Sequence, residues 1–118
     1  MRTIGAQRYL GWAAFAALGA LSLWPGGLQV RTGAGSHLEH FVAYAFTGFF
    51  LALGHPGFNA RFATWCLLGM YAAALERLQL VIPGHTSQVV DVEGGVAGAF
   101  AGLLGALLFE LIAYRSRR

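Results

Sequence analysis

The side chains in this 118-residue chain that could do chemistry are few, and they fall in groups. His37, Glu39, His40 and Tyr44 form the first, and Glu76, Arg77 and Gln79 the second. His85 and Thr86 form a third, and Asp91 and Glu93 a fourth. Carboxylates beside imidazoles are suited to acid–base work, with Glu76 or Asp91 as base and His40 or His85 as acid. The same side chains could instead hold a cationic ligand or pass a proton. His37, His40, His85 and the carboxylates are also of the types that ligate zinc or manganese. No HExxH-like motif accompanies them, and Glu39 lies off the face shared by His37 and His40, so neither a metal nor a cofactor is expected. No Ser-His-Asp arrangement or phosphate-cradling loop is recognisable. Gly94, Gly95 and the glycines that follow read as packing residues.

The elements that position these groups follow from composition. Apolar residues make up 57% of the chain even without its 17 glycines, against about 45–50% with glycine counted in soluble domains. Charged residues are only 11%, too few to clothe a soluble globule and too few for a disordered chain. The composition therefore predicts an all-α membrane protein. Its net charge of +3 comes from dispersed or terminal arginines, which is a poor footprint for nucleic acid. The single Cys66 cannot form an internal disulfide and is expected as a small buried hydrophobe.

Four apolar stretches, at about 9–24, 38–54, 62–82 and 89–114, predict a compact four-transmembrane-helix bundle in one domain. Trp24-Pro25-Gly26-Gly27, His55-Pro56-Gly57 and Pro83-Gly84 separate them. The first two stretches are slightly short for a ~30 Å core, so Arg8 is expected to snorkel. With the N-terminus inside, Arg2, Arg8, Arg61, Arg115, Arg117 and Arg118 fall on the inner side and Arg31 alone in the outer loops. This bias predicts both termini in the cytoplasm. Tyr9, Trp12, Trp65 and Tyr114 then fall near the inner boundary and Trp24 near the outer one. A cleaved signal peptide ending near Ala20-Leu21-Ser22 is the alternative for the first stretch, although the apolar run continues to Trp24.

This topology brings all four polar groups to the outer end of the bundle. Helical phase then sorts them, because residues three, four and seven apart share a face. His37, His40, Tyr44 and Thr47 form one stripe. Glu76 and Gln79 share a face with Gly69, Ala72 and Ala73, and Asp91 shares one with Gly94, Gly98, Gly102 and Gly105. Small residues mark close helix contacts in membranes, so Glu76 and Asp91 should point into the bundle. Glu93 should face headgroups or water, and Arg77 should reach sideways to Glu39, Asp91 or a lipid phosphate. Glu110, alone at the inner end, should pair with an arginine. His55 reads as an inner-loop residue, and Phe46, Phe49 and Phe50 as lipid-facing or core bulk.

The same residues resemble the VanZ-like family of small bacterial membrane proteins. His40-Phe41-Val42-Ala43-Tyr44 is similar to the family's His-Phe-x-x-Tyr at the head of a span. Glu76-Arg77-Leu78-Gln79, then Pro83-Gly84-His85, then Asp91 and Gly98, follow its Glu-x-x-Gln, Pro-Gly-Arg and Asp pattern. The likeness covers roughly residues 36–105. It departs where Ser36-His37 stand for Asp-Lys, His85 for Arg, and Gly95 for Asn. The resemblance implies a cell-envelope role in the bacterial plasma membrane. The family's namesake is associated with resistance to the glycopeptide teicoplanin.

Charge narrows the ligand. Glu39, Glu76, Asp91 and Glu93 face Arg77 alone, which favours a cation, an amine or a proton over a bare phosphate. The leading expectation is a non-enzymatic envelope protein. Its site, His37, His40, Tyr44, Glu76, Arg77, Gln79, His85, Thr86 and Asp91, would hold a lipid headgroup, a cell-wall precursor or another amine-bearing ligand, or a partner protein. A membrane enzyme acting on a lipid-linked substrate is the second expectation. A proton or ion pathway is the third, and it would need a homo-oligomer because four helices leave little room for a pore.

Overall fold

The computed structural model describes residues 4–23, 36–81 and 89–116. These residues form four α-helices: α1 (Ile4–Ser22), α2 (Ser36–Gly54), α3 (Phe58–Leu78) and α4 (Val89–Ser116). A single 3₁₀ turn, Gln79–Val81, extends α3. The helices overrun the expected stretches. α1 begins five residues before Tyr9, and α3 begins four residues before Phe62. Hydropathy marks only the apolar part of a helix, whereas residues such as Gln7 and Arg8 continue its hydrogen bonding at little cost.

Only His55, Pro56 and Gly57 join α2 to α3. Gly57 has φ 108° and ψ 145°, a backbone state open in practice to glycine alone. The reversal is completed by the Arg61 N–H, which donates to the Gly57 carbonyl at 3.0 Å.

Contacts along the helices set their directions. Arg8 lies beside Gly54 and Gly11 beside Leu51, so α1 and α2 are antiparallel. Gly98 lies against Phe41 and Gly102 against Ala45, so α2 and α4 run parallel. Trp65 meets Phe100 and Arg61 meets Glu110, so α3 and α4 are antiparallel. The bundle therefore has two ends. One, the hairpin end, carries the start of α1, the α2–α3 reversal and the end of α4. The other carries the end of α3 and the starts of α2 and α4.

Backbone proximity is what binds α2 to α4. A β-carbon on Gly98 would fall on the Phe41 carbonyl oxygen, and one on Gly102 on the Ala45 carbonyl oxygen. On the facing helix, a β-carbon on Gly48 would lie 3.0 Å from the Ala99 oxygen. Helices this close gain dispersion and weak Cα–H···O contacts that side chains would otherwise hold apart. Leu18, Tyr44, Leu51, Leu68, Ala72 and Ala99 form the main core, and Ala52, Leu53 and Ala106 a smaller one towards the hairpin end.

The molecule is a rod of 53 × 26 × 22 Å. Among the described helices one is long and apolar enough to cross a membrane, the 25-residue segment Val92–Ser116, and Leu38–Gly54 is apolar but shorter. α1 is diluted by Gln7 and Arg8, and α3 by Asn59, Arg61, Glu76 and Arg77. Cys66 is exposed, contrary to the burial expected of it, because it lies on the outward face of α3. Its apolar neighbours Leu67 and Met70 are exposed on that helix as well.

Candidate functional site

Two of the predicted polar groups meet at the end of the bundle where α3 finishes and α2 and α4 begin. Tyr44 on α2 is 1% exposed, Glu76 on α3 is 5% exposed and Gln79 in the following turn is 4% exposed. Their burial follows from phase: Thr64, Leu68, Ala72, Leu75, Glu76 and Gln79 form the inward stripe of α3. That stripe is rotated from the expected one, and Ala73, expected inside, is exposed. The rotation lets Leu75 rather than Ala73 fill the interior beside Glu76.

Gly95 is the point at which three helices converge. A β-carbon there would lie 3.2 Å from the Ala72 β-carbon and 3.4 Å from the Tyr44 ring. The position at which the family likeness expects Asn is thus occupied by the neighbours' side chains. One turn above Tyr44, the His40 ring lies parallel to the phenol, with centroids 6.2 Å apart and planes 10° from parallel. His40 and Glu39 are half-buried. Thr47 completes the stripe one turn below, and its hydroxyl donates to the Ala43 carbonyl at 2.9 Å. Glu93 and Arg77 are exposed, the first as expected and the second available at the rim. His37 and Asp91 lie in the first turns of α2 and α4, at the same end. Their side chains, and the whole of His85 and Thr86, lie outside the described residues.

The assembly places a carboxylate, an amide and a phenol in the interior, with an imidazole nearer the rim. That set can bind an N–H-rich or cationic group and can exchange protons with one. Among the described residues no three His, Cys, Asp or Glu side chains are grouped to hold a metal ion.

Sequence reasoning passed over Tyr71, which ties α3 to α1. Its hydroxyl donates to the Phe15 carbonyl at 2.8 Å, and its ring stacks on Phe15 with centroids 3.9 Å apart. Gly19 makes the approach possible, since a β-carbon there would collide with the hydroxyl. Trp65, expected near the inner boundary, donates its indole N–H to the Val96 carbonyl at 3.2 Å, bracing α3 against α4.

The hairpin end is built on the last carbonyls of α2, which no intrahelical N–H can satisfy. Arg8 on α1 donates its Nε to the Gly54 carbonyl at 2.6 Å. Arg61 on α3 donates Nε and Nη2 to the Ala52 carbonyl at 3.1 and 2.9 Å. The Leu51 carbonyl accepts from the His55 N–H at 2.9 Å and lies 3.1 Å from His55 Nδ1. Arg61 Nη2 also meets Glu110 at 2.7 Å, the pairing expected for that acid. Arg61 is not a loop cation, as its place among the inner arginines implied. It is buried in the first turn of α3, drawn in by the α2 carbonyls and the Glu110 carboxylate.

Between the two ends the interior is apolar. Leu51 and Leu68 fill it, and the Thr64 hydroxyl is spent on its own helix, donating to the Ala60 carbonyl. No family model matches this chain, and neither a curated protein nor a solved structure matches it.

Proposed function

We propose that this protein is a four-span integral membrane protein of the bacterial plasma membrane, with both termini cytoplasmic and its polar end outermost. There it binds a cell-envelope ligand, a lipid headgroup or cell-wall precursor, rather than turning one over. The site comprises His37, His40, Tyr44, Glu76, Arg77, Gln79, His85, Thr86 and Asp91. The likeness to VanZ-like proteins is the reason for the envelope assignment, and it suggests glycopeptide sensitivity as a phenotype to examine.

One observation carries the reading: beside its apolar core the molecule buries a few polar groups at its ends, while a broad apolar surface stays exposed. Glu76, Gln79 and Arg61 are inside, while Leu104, Leu107, Leu108, Phe109, Leu111 and Ile112 lie open along one side of α4. Only 22% of the apolar window of that helix is buried, unlike the core helix of a water-soluble bundle. A patch of this kind is a liability in water and ordinary in lipid. A carboxylate held inside such a bundle costs several kcal/mol unless it is paired or hydrated, which makes Glu76 a functional group by default.

The reading is tested with Glu76→Gln and Asp91→Asn in cells challenged with envelope stresses and glycopeptides. Each variant is expected to insert at wild-type level yet behave like a deletion strain. Full activity in both variants would remove the polar end from the function.

A further inference from the structure

We infer that the hairpin end carries a second site, for the phosphodiester of an anionic headgroup, in which the Arg8 guanidinium takes the phosphate oxygens. The inference rests on the membrane-spanning reading above and uses no residue of the polar end.

Two guanidiniums serve the last carbonyls of α2, and they differ. Arg61 is buried, with Nε and Nη2 on the Ala52 carbonyl and Nη2 also on Glu110. Arg8 is exposed and donates Nε to the Gly54 carbonyl at 2.6 Å. A guanidinium is a rigid fork of five N–H groups, so anchoring Nε orients the whole plane. Its Nη1–Nη2 edge is the one that can then take two phosphate oxygens side by side. The stem is held as well. A β-carbon on Gly54 would lie 2.7 Å from Arg8 Cγ and 2.9 Å from its backbone nitrogen, so α1 packs directly on the end of α2. A cation placed before its ligand arrives loses little freedom on binding.

Charge at this end selects an anion. Of the chain's five acids, Glu39, Glu76, Asp91 and Glu93 belong to the opposite end. Glu110 is at the hairpin end and meets Arg61 at 2.7 Å. No further carboxylate side chain exists to balance Arg8, and Arg115 adds another cation in the last turn of α4. The negative pole of α2 would oppose an anion, but the Leu51, Ala52 and Gly54 carbonyls are all covered by N–H donors. The surroundings suit a lipid headgroup. Trp12 follows Arg8 by one turn on the same face of α1, is exposed, and stands edge-on to the His55 ring at 5.9 Å. Aromatic rings of this kind sit at headgroup level. Phosphatidylglycerol presents the matching phosphodiester in a membrane, and glycerophosphoglycerol presents it in solution.

The test uses the full chain in phosphatidylcholine nanodiscs. Retention of added phosphatidylglycerol against phosphatidylcholine is read by native mass spectrometry, with glycerophosphoglycerol as soluble competitor. Wild type is expected to favour the phosphatidylglycerol by about tenfold. Displacement by the competitor would assign the site to free phosphodiesters, and retention in its presence to the lipid. Arg8→Gln is expected to lose most of the preference. Arg8→Lys, which keeps the charge and a donor for Gly54 but not the fork, is expected to lose part of it. Arg115→Gln removes the same charge from the same end and is expected to keep most of it. No preference in wild type, full preference in both Arg8 variants, or equal losses in Arg8→Gln and Arg115→Gln would overturn the inference. A chain that inserts without any such preference would leave the spanning reading intact, whereas failure to enter the nanodisc would overturn both.

Discussion

Arg61 brings a guanidinium into the interior, where it is satisfied by the Ala52 carbonyl and the Glu110 carboxylate. Its side chain is 10% exposed and that of Glu110 is 40% exposed. Removing only the acid leaves a buried cation unmatched. Glu110→Leu should therefore destabilise by about 2 kcal/mol, less than the ~3–5 kcal/mol of a fully buried pair because Glu110 is partly screened by solvent. Arg61→Met should also destabilise, since it frees the Ala52 carbonyl. The double variant should cost less than the two single variants added, by about 1 kcal/mol or more. Thermal or denaturant unfolding in detergent measures the cycle, and strict additivity would show that the two charges do not depend on each other. The need of Glu110 for an arginine was legible in the sequence, because a lone acid at that depth has few other options. The burial of Arg61 was not, because a cation beside a turn reads the same whether it faces water or the open carbonyls of a neighbouring helix. Tyr71 escaped notice for a related reason. Its partner is a backbone carbonyl on α1, and backbone acceptors leave no mark in a sequence.

At the scale of the elements, glycine period was the most informative signal. Gly98 and Gly102 are one turn apart on α4, and both press on the α2 backbone as small residues at that spacing predict. Gly105, on the same stripe, does not: a β-carbon there would meet the Phe49 ring at 3.5 Å, an ordinary contact. Gly98→Ala should therefore lower stability by about 1–3 kcal/mol by forcing α2 and α4 apart. Gly105→Ala should be neutral or stabilising by up to about 1 kcal/mol through helix propensity. Comparable losses in both would mean that the glycines serve something other than close approach. The face of α3 was less legible. Small residues pointed to Ala73, but the bundle buries Leu75 beside Glu76, and an apolar helix gives hydropathy no polar side against which to fix the rotation. The same lack of contrast hid the outward position of Cys66.

For the whole molecule, composition and the arginine bias are the grounds of the proposed membrane topology, while the structure adds the alternating helix directions that bring the end of α3 and the starts of α2 and α4 together. The central claim is that this polar end faces out of the cell from a four-span bundle. Cysteine labelling tests it most directly, in a Cys66→Ser background because Cys66 is itself exposed. Ser87→Cys and Asn59→Cys are the labelled variants: position 87 falls between α3 and α4 in the sequence, and Asn59 is an exposed residue of the first turn of α3 at the hairpin end. With a membrane-impermeant maleimide on intact cells, position 87 should react at once and position 59 only after permeabilisation. Reaction at 59 with protection at 87 would turn the site to the cytoplasm. Equal reaction at both in intact cells would contradict a spanning bundle altogether.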